Sequence, residues 1–343
     1  MSVGFCFLGC GKISLRHIRT LRRIRPDARI AVASRDARRA QEFARPLGIK
    51  DAFGSYEEAL RSAYETMIVV TPPRSHFELV KEALAGGKHL LIEKPIFNSL
   101  DEFASLWPAL IQSRPVVMVA ENVHFAPFHR RLKAILKDGR DCGRPLYLDL
   151  IRLGASTPTG WRADPAEMPL GALHEGGVHW IRRLMDLASI WEDSETDHVV
   201  AVTAFGPDKP LSNTPNEDTT MVLARHQSGL TSRLFHSWGV PWRFIPFDSS
   251  KVIMERGALY FDGRGIYGRF YGPAGKQWLA PSLRDRTGFE AMWRHFLGRV
   301  DGAAAPALSL QHIFADFAYL DAAYRARQSR TTVVPVRPPL LVA

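Results

Sequence analysis

The most constraining feature of this chain is a glycine-rich turn between an apolar run and an amphipathic segment at the N-terminus. Val3-Gly4-Phe5-Cys6-Phe7-Leu8 is short and apolar, and Gly9-Cys10-Gly11-Lys12-Ile13-Ser14 follows it. Leu15, Ile18, Leu21 and Ile24 then recur at helical spacing. A buried strand, a Gly-x-Gly turn and a helix are expected in that order. Gly9 permits the tight turn. Gly11 lets the backbone approach a pyrophosphate at the helix N-terminus, where unpaired N–H groups and the dipole favour anions. Ser14 replaces the usual third glycine and is small enough to keep helix and strand close.

Such a turn carries weight only if it opens an alternation of strands and helices, and the first third of the chain supplies one. Strands are expected at Arg29 to Ala33, Met67 to Val70, His89 to Ile92 and Val116 to Val119. Helices are expected at Asp36 to Leu47, Glu57 to Arg61, His76 to Ala85 and Asp101 to Ile111. This implies a doubly wound parallel sheet, ending near Ala120-Glu121-Asn122.

Beyond that point helices are expected at His129 to Leu136 and Leu173 to Leu187, with a strand from Leu146 to Leu153. Period-2 segments follow at Val199 to Phe205, Thr219 to His226, Leu230 to Trp238, Lys251 to Glu255 and Ala258 to Phe261, with a hairpin turn at Gln227-Ser228-Gly229. Phe289 to Val300 and Leu310 to Arg327 close the chain as helices. The expected organisation is a dinucleotide-binding domain over residues 1–121 and an α+β domain with a large, mostly antiparallel sheet over 122–343. At 343 residues and 46% hydrophobic content, two cores are affordable.

Composition narrows the class. The formal charge is +10, but the basic residues are scattered, and the densest group (Arg16, Arg19, Arg22, Arg23, Arg25) lies along one helix and its end. That is a solvated face rather than a nucleic-acid motif. Three cysteines without a Cys-x-x-Cys pattern fit a reducing cytoplasm. No apolar stretch reaches membrane-spanning length, and the first strand begins too early to leave room for a signal peptide. No metal is expected.

Glu93-Lys94-Pro95 ends the apolar run His89 to Ile92, at the strand edge where open parallel sheets bind ligands. Alone, the tripeptide is equally compatible with a lysine that extends its amine to solvent. Downstream of the glycine turn, it is a candidate active-site cation. Glu175 and His179 are four residues apart in an expected helix and so share a face. The alternative is a helix-entry carboxylate and a core histidine.

Together these segments resemble the Gfo/Idh/MocA family of nicotinamide-dependent oxidoreductases. The resemblance rests on Gly9 to Ile13, Thr71-Pro72-Pro73-x-x-His76, Ala83 to His89, Glu93-Lys94-Pro95, Trp161-Arg162-x-Asp164-Pro165, Gly171 to His179, and the closing Ala322-Ala323-Tyr324 helix with its Val-rich strand. It covers essentially the whole chain. It implies a cofactor site of Gly9, Gly11, Lys12, Ile13, Ser34, Arg35, Thr71, Pro72, Pro73, His76, Glu93, Lys94 and Asn122. Family members carry an Asp and a His beside the substrate at positions 175 and 179. Here the Asp is Glu175, and Arg182 stands where many members have another Asp. Polyhydroxylated substrates are implied, with His124, Trp161, Arg162, His174, Trp180 and Trp238 as candidate walls.

The expected reaction is hydride transfer between a secondary alcohol carbon and nicotinamide C4. A cation and an acid/base group are needed at the substrate oxygen; Lys94 supplies the first, and Lys94 or His179 the second. Glu175 orients the histidine or binds a neighbouring hydroxyl. Arg162 would favour a carboxylate or phosphate on the substrate. After the second strand, Ser34 and Arg35 suit a 2′-phosphate while Asp36 begins the next helix, so NADP is preferred to NAD. A dinucleotide-binding regulator would lack the lysine or histidine, whereas redox-neutral glycosidic cleavage would keep a tightly bound NAD and show bond cleavage with no net absorbance change at the nicotinamide band. A homodimer or homotetramer through the open sheet face is expected.

Overall fold

The computed structural model describes residues 3–192, 198–212, 214–240 and 249–338. They form two compact units, one of Met1–Glu121 with Phe289–Leu310, the other of Asn122–Gly288 with Gln311–Pro339.

In the first unit β1 (Gly4–Leu8) is buried along its whole length, and α1 (Lys12–Ile24) follows. Then come β2 (Arg29–Ala33), α2 (Ala37–Ala44), β3 (Asp51–Phe53), α3 (Tyr56–Arg61), β4 (Thr66–Val69), α4 (His76–Ala85), β5 (His89–Ile92), α5 (Leu100–Gln112) and β6 (Val117–Val119). Side-chain caps start three of the helices: Asp36 accepts from the Arg38 and Arg39 N–H groups, Ser55 from Glu58, and Ser99 from Glu102. The six strands are parallel in the order β3-β2-β1-β4-β5-β6, so every loop that follows a strand leaves at one edge. The sequence reading lacked β3, whose three residues are all at least partly exposed and too few to show a period.

The second unit contains α6 (Pro127–Asp138), β7 (Pro145–Leu153), α7 (Ala172–Glu175), α8 (Val178–Ala188), β8 (Val199–Phe205), β9 (Thr219–His226), β10 (Thr231–Ser237), β11 (Ser249–Met254), β12 (Gly257–Asp262), β13 (Gly268–Gly272) and β14 (Gly275–Leu279). Its eight-stranded sheet runs β14-β13-β12-β11-β7-β10-β9-β8, antiparallel except for the β7–β10 pair. Leu148, Leu150, Leu234 and Val252 from the sheet bury against Leu132, Ile181 and Leu184 from the helices. Each contributes roughly 1.5–3 kcal/mol. The β13–β14 hairpin was not expected from sequence: Lys276, Gln277 and Trp278 are all exposed, so no alternation marks it.

Three expectations need correction. The helix α9 (Phe289–Val300) belongs to the first unit, not the second. Its Trp293 is fully buried there, with ring contacts to Phe5, Phe7, His17 and Phe296. The last helix, α10 (Leu310–Ser329), then completes the second unit, and the Val-rich segment after it forms only an isolated bridge between Val333 and Val202. The third correction concerns the segment 173–187, which is two helices. The N–H groups of Gly176 and Gly177 both donate to the Ala172 carbonyl, at 2.9 and 3.0 Å, and α8 restarts after them. A Cβ at Gly177 would lie 2.4 Å from the Leu173 carbonyl oxygen, and one at Gly176 3.1 Å from the Trp238 indole. Gly177 leaves no room for a side chain and Gly176 little, and at this break the four-residue spacing of Glu175 and His179 does not place them on one continuous helix face.

Candidate active site

At the strand-exit edge of the first unit, the order of strand succession changes direction between β1 and β4, which lie side by side. Gly9 has φ of +125°, and a Cβ there would sit 2.9 Å from the Val70 carbonyl oxygen. Both facts demand glycine. Gly11 differs: a Cβ there would meet nothing within 4 Å, so its backbone faces open space at the start of α1. Ser14 ties the turn from below, donating to the Gly9 carbonyl at 2.8 Å and accepting from the Gly11 N–H at 3.2 Å. Lys12 is exposed and Ile13 half-buried beside it. Burial pushes the pKa of Cys10, within the turn, up to about 11, which disfavours its thiolate.

At the end of β2, Ser34 is buried and accepts from the Asp36 N–H at 3.3 Å, while Arg35 is exposed. Asp36 caps α2 through Oδ1, as its position suggested. After β4, the Ser75 hydroxyl donates to Thr71 Oγ1 at 2.7 Å. It also lies 2.9 Å from the Pro72 carbonyl, which fixes the Thr71-Pro72-Pro73 turn. His76 was expected at the cofactor but is wholly buried. Its ring nitrogens lie 2.9 Å from the Thr71 carbonyl and 3.0 Å from the Ile96 carbonyl, and the single N–H of a neutral ring donates to one of them, between the loops after β4 and β5. Burial lowers its pKa against the pull of those carbonyls.

The loop after β5 carries Glu93 and Lys94, and the Lys94–Pro95 peptide is cis. Sequence reasoning missed what orients Glu93. The Trp293 indole N–H can only donate, and it meets His17 Nδ1 at 3.0 Å. The proton of a neutral His17 ring is therefore on Nε2, which donates to Glu93 Oε1 at 2.8 Å. Glu93 Oε2 in turn accepts the Lys94 N–H at 3.1 Å. A buried indole and imidazole thus set the carboxylate next to Lys94. The partners lie 76 and 276 residues apart in pairs, so no local spacing could reveal them.

The second unit builds its own polar centre around the break between α7 and α8. Glu217 and Tyr324 hold the start of α7. Glu217 Oε1 accepts from the Leu173 N–H (2.7 Å) and from the Tyr324 hydroxyl (2.8 Å). The Tyr324 oxygen accepts from the N–H groups of Gly171 and His174, both at 3.2 Å. Burial raises the pKa of Glu217, and burial together with Glu217 raises that of Tyr324 well above its ordinary value.

Glu175, at the end of α7, is mostly buried and accepts from Arg162 Nε at 2.8 Å. The Arg162 guanidinium also lies 4.3 Å over the Trp161 ring. His179 is half-buried at the start of α8, and Trp238 packs on Gly176. Trp180 lies under Arg152 and Arg183. Asn122 donates to the Thr287 carbonyl at 2.6 Å.

His174 and His124, expected at the substrate, and Arg182, at the position of a family Asp, have partners within the second unit. His174 has no exposed surface and packs edge-on against Phe317. Arg182 is buried, pairing with Asp186 (3.3 Å) and Asp316 (3.1 Å) between α8 and α10. His124 Nδ1 binds Asp186 Oδ2 at 2.8 Å. That carboxylate also takes His129 Nε2 (2.8 Å) and Lys133 Nζ (3.2 Å). Burial would raise the Asp186 pKa, but Arg182 and the histidines outweigh it and hold the group well below 3.8.

Comparison with known proteins bears on the fold and the family. The model of an oxidoreductase family with an NAD-binding Rossmann fold, GFO_IDH_MocA, matches residues 3–121, and that of the GFO/IDH/MocA C-terminal domain matches residues 129–260. The uncharacterized oxidoreductase YrbE of Bacillus subtilis is 24% identical over 65% of this chain and 63% of its own length. Inositol 2-dehydrogenase 2 of Saccharopolyspora erythraea is 28% identical over 67% of this chain and 65% of its own. The chain thus spans less than two thirds of the length of these relatives. A levoglucosan dehydrogenase solved with NADH and levoglucosan superposes with a TM-score of 0.83 at 17% identity, over 98% of this chain and all of that one, and so shares the fold. With a six-stranded Rossmann unit, a mostly antiparallel second sheet and both family models matched, the chain belongs to the Gfo/Idh/MocA family of oxidoreductases.

Proposed function

We propose that the chain is an NAD(P)-dependent dehydrogenase or reductase acting on a CH–OH group of a sugar, cyclitol or related polyol. The observation that carries this is the strand-exit edge of the first unit. There the Gly9–Gly11 turn leaves open backbone at a helix N-terminus, on the same edge as Glu93 and Lys94. A dinucleotide pyrophosphate fits that turn. The inositol 2-dehydrogenase relative and the levoglucosan dehydrogenase neighbour support a polyol substrate.

A bound nicotinamide supplies hydride exchange at its C4. The chain's own task is the proton and charge on the substrate oxygen. Lys94 provides the cation that stabilises negative charge there. The hydroxyl proton is exchanged with Lys94 or His179, and Glu175, anchored by Arg162, binds a neighbouring hydroxyl. Ser34 and Arg35 hold a 2′-phosphate, which favours NADP. The unpaired Cys6, Cys10 and Cys142 support a reducing, cytoplasmic location. Partly exposed apolar residues on the open sheet face, among them Phe205 and Leu223, support a homo-oligomer.

Lys94→Ala tests the reading. Turnover of a polyol, followed at the nicotinamide absorbance band, falls to near zero while dinucleotide binding survives; near-normal turnover overturns it. A steady-state preference for NADH over NADPH would remove the role given to Arg35.

A further inference from the structure

A cluster outside the polar centres described above lies at one end of the eight-stranded sheet. His198, just before β8, and His226, at the end of β9, are both buried, and their Nδ1 atoms are 2.9 Å apart. Glu192, distant in sequence from His226, brings a carboxylate to the same point, so that one ligand atom from each of the three lies within 4.8 Å of the others.

We propose that Glu192, His198 and His226 form a binding site for a divalent transition ion of the zinc type.

Three observations support it. First, the donor set is right: two imidazoles and one carboxylate suit zinc, with a remaining position open to water. Tetrahedral zinc holds its nitrogen ligands about 3.3 Å apart. The observed 2.9 Å therefore needs a shift of a few tenths of an ångström. Second, the supporting contacts are those of a metal site. His226 Nε2 lies 2.7 Å from Ser232 Oγ, and donation to that oxygen leaves Nδ1 as the lone pair facing the cluster. Both Glu192 oxygens accept from the Ser228 N–H, and Oε1 also takes its hydroxyl. Third, both rings are buried and each turns its Nδ1 to the same point, where the Glu192 carboxylate also lies. A neutral ring can offer the lone pair that coordination needs. His198 Nε2, on the far side of its ring from the cluster, is buried with no hydrogen-bond partner among the described residues.

A bound ion would cross-link three segments of the second unit. It would tie the segment ending at Glu192 and the start of β8 to the β9–β10 turn, all within the second unit and apart from residues placed in the redox chemistry.

The test uses the full chain, stripped with chelator and titrated with Zn(II) or with Co(II) as a spectroscopic stand-in. One equivalent of Zn(II) binds and raises the melting temperature, and Co(II) gives the visible bands of a low-coordinate site. His198→Asn and His226→Asn abolish stoichiometric binding and the thermal shift. Glu192→Gln, on a partly exposed side chain, weakens binding in a fold left intact. Ser232→Ala lowers affinity by about 10-fold. Absence of stoichiometric binding by the unaltered chain overturns the proposal, as does binding that persists unchanged in Glu192→Gln and both histidine variants.

Discussion

Arg162 Nε lies 2.8 Å from Glu175 Oε1, so the longer carboxylate at position 175 is held by a guanidinium that itself stacks on Trp161. Arg162→Ala removes one charge-assisted bond. Because the arginine side chain is 44% exposed, solvent screening keeps the effect modest. KM for the polyol rises by roughly tenfold with little change in kcat, equivalent to on the order of 1.5 kcal/mol. Steady-state kinetics check this, and an unchanged KM would show that Glu175 needs no anchor.

Tyr324 joins α10 to the start of α7 through one hydroxyl. Tyr324→Phe keeps the ring but leaves the Gly171 and His174 N–H groups without that acceptor and Glu217 without that donor. Loss of stability by about 1–3 kcal/mol is expected in urea unfolding. Because α7 carries Glu175, kcat/KM falls with it.

Trp293→Phe deletes the N–H that fixes the His17 tautomer while keeping an aromatic ring in the core. His17 Nε2 is then free to lose its proton to Nδ1, and its bond to Glu93 weakens. The expected result is a loss of about 1–3 kcal/mol in stability and a several-fold weaker dinucleotide affinity measured by fluorescence titration. Unchanged affinity would disconnect the relay from the cofactor.

Protonation of His129 gives a pH signature. Burial, opposed by Asp186 and reinforced by Arg183 and His124, lowers its pKa from 6.5 to about 4. Between those values the unfolded chain binds the extra proton, so stability rises with pH there. The contribution is complete above pH 6.5 and is lost as pH falls toward 4, amounting to on the order of 3 kcal/mol. His129→Asn retains a donor for Asp186 but does not titrate. The stability gap between the two proteins should therefore close or reverse on acidification from pH 7 to 4. A gap independent of pH would contradict the buried neutral ring.

What the sequence revealed and what it hid divide along the range of the interactions. β1, β2, β4, β5 and α4 were legible because each is bounded by a turn residue and carries its own period. The Gly9 turn, the Asp36 cap and the Lys94 position were legible for the same reason. The α7–α8 break was not, since Gly176 and Gly177 suit a helix pattern until Trp238 and the Leu173 carbonyl crowd them. His76 read as a cofactor residue from its place in the Thr71-Pro72-Pro73-x-x-His76 motif, and His174 as a candidate substrate wall. Their burial depends on Ile96 and Phe317, which no local window contains. Arg182 looked like a changed substrate contact, yet its partners Asp186 and Asp316 place it in the core.

The return of α9 to the first unit has a consequence for synthesis. A ribosome that has delivered residue 121 has made all six parallel strands, but His17 still lacks the indole that covers it and fixes its proton. Trp293 emerges on the order of ten to thirty seconds later, at ~5–20 residues per second. Until then the first unit is an unfinished body with an open apolar flank at Phe5 and Phe7, and the unit that begins first is completed late.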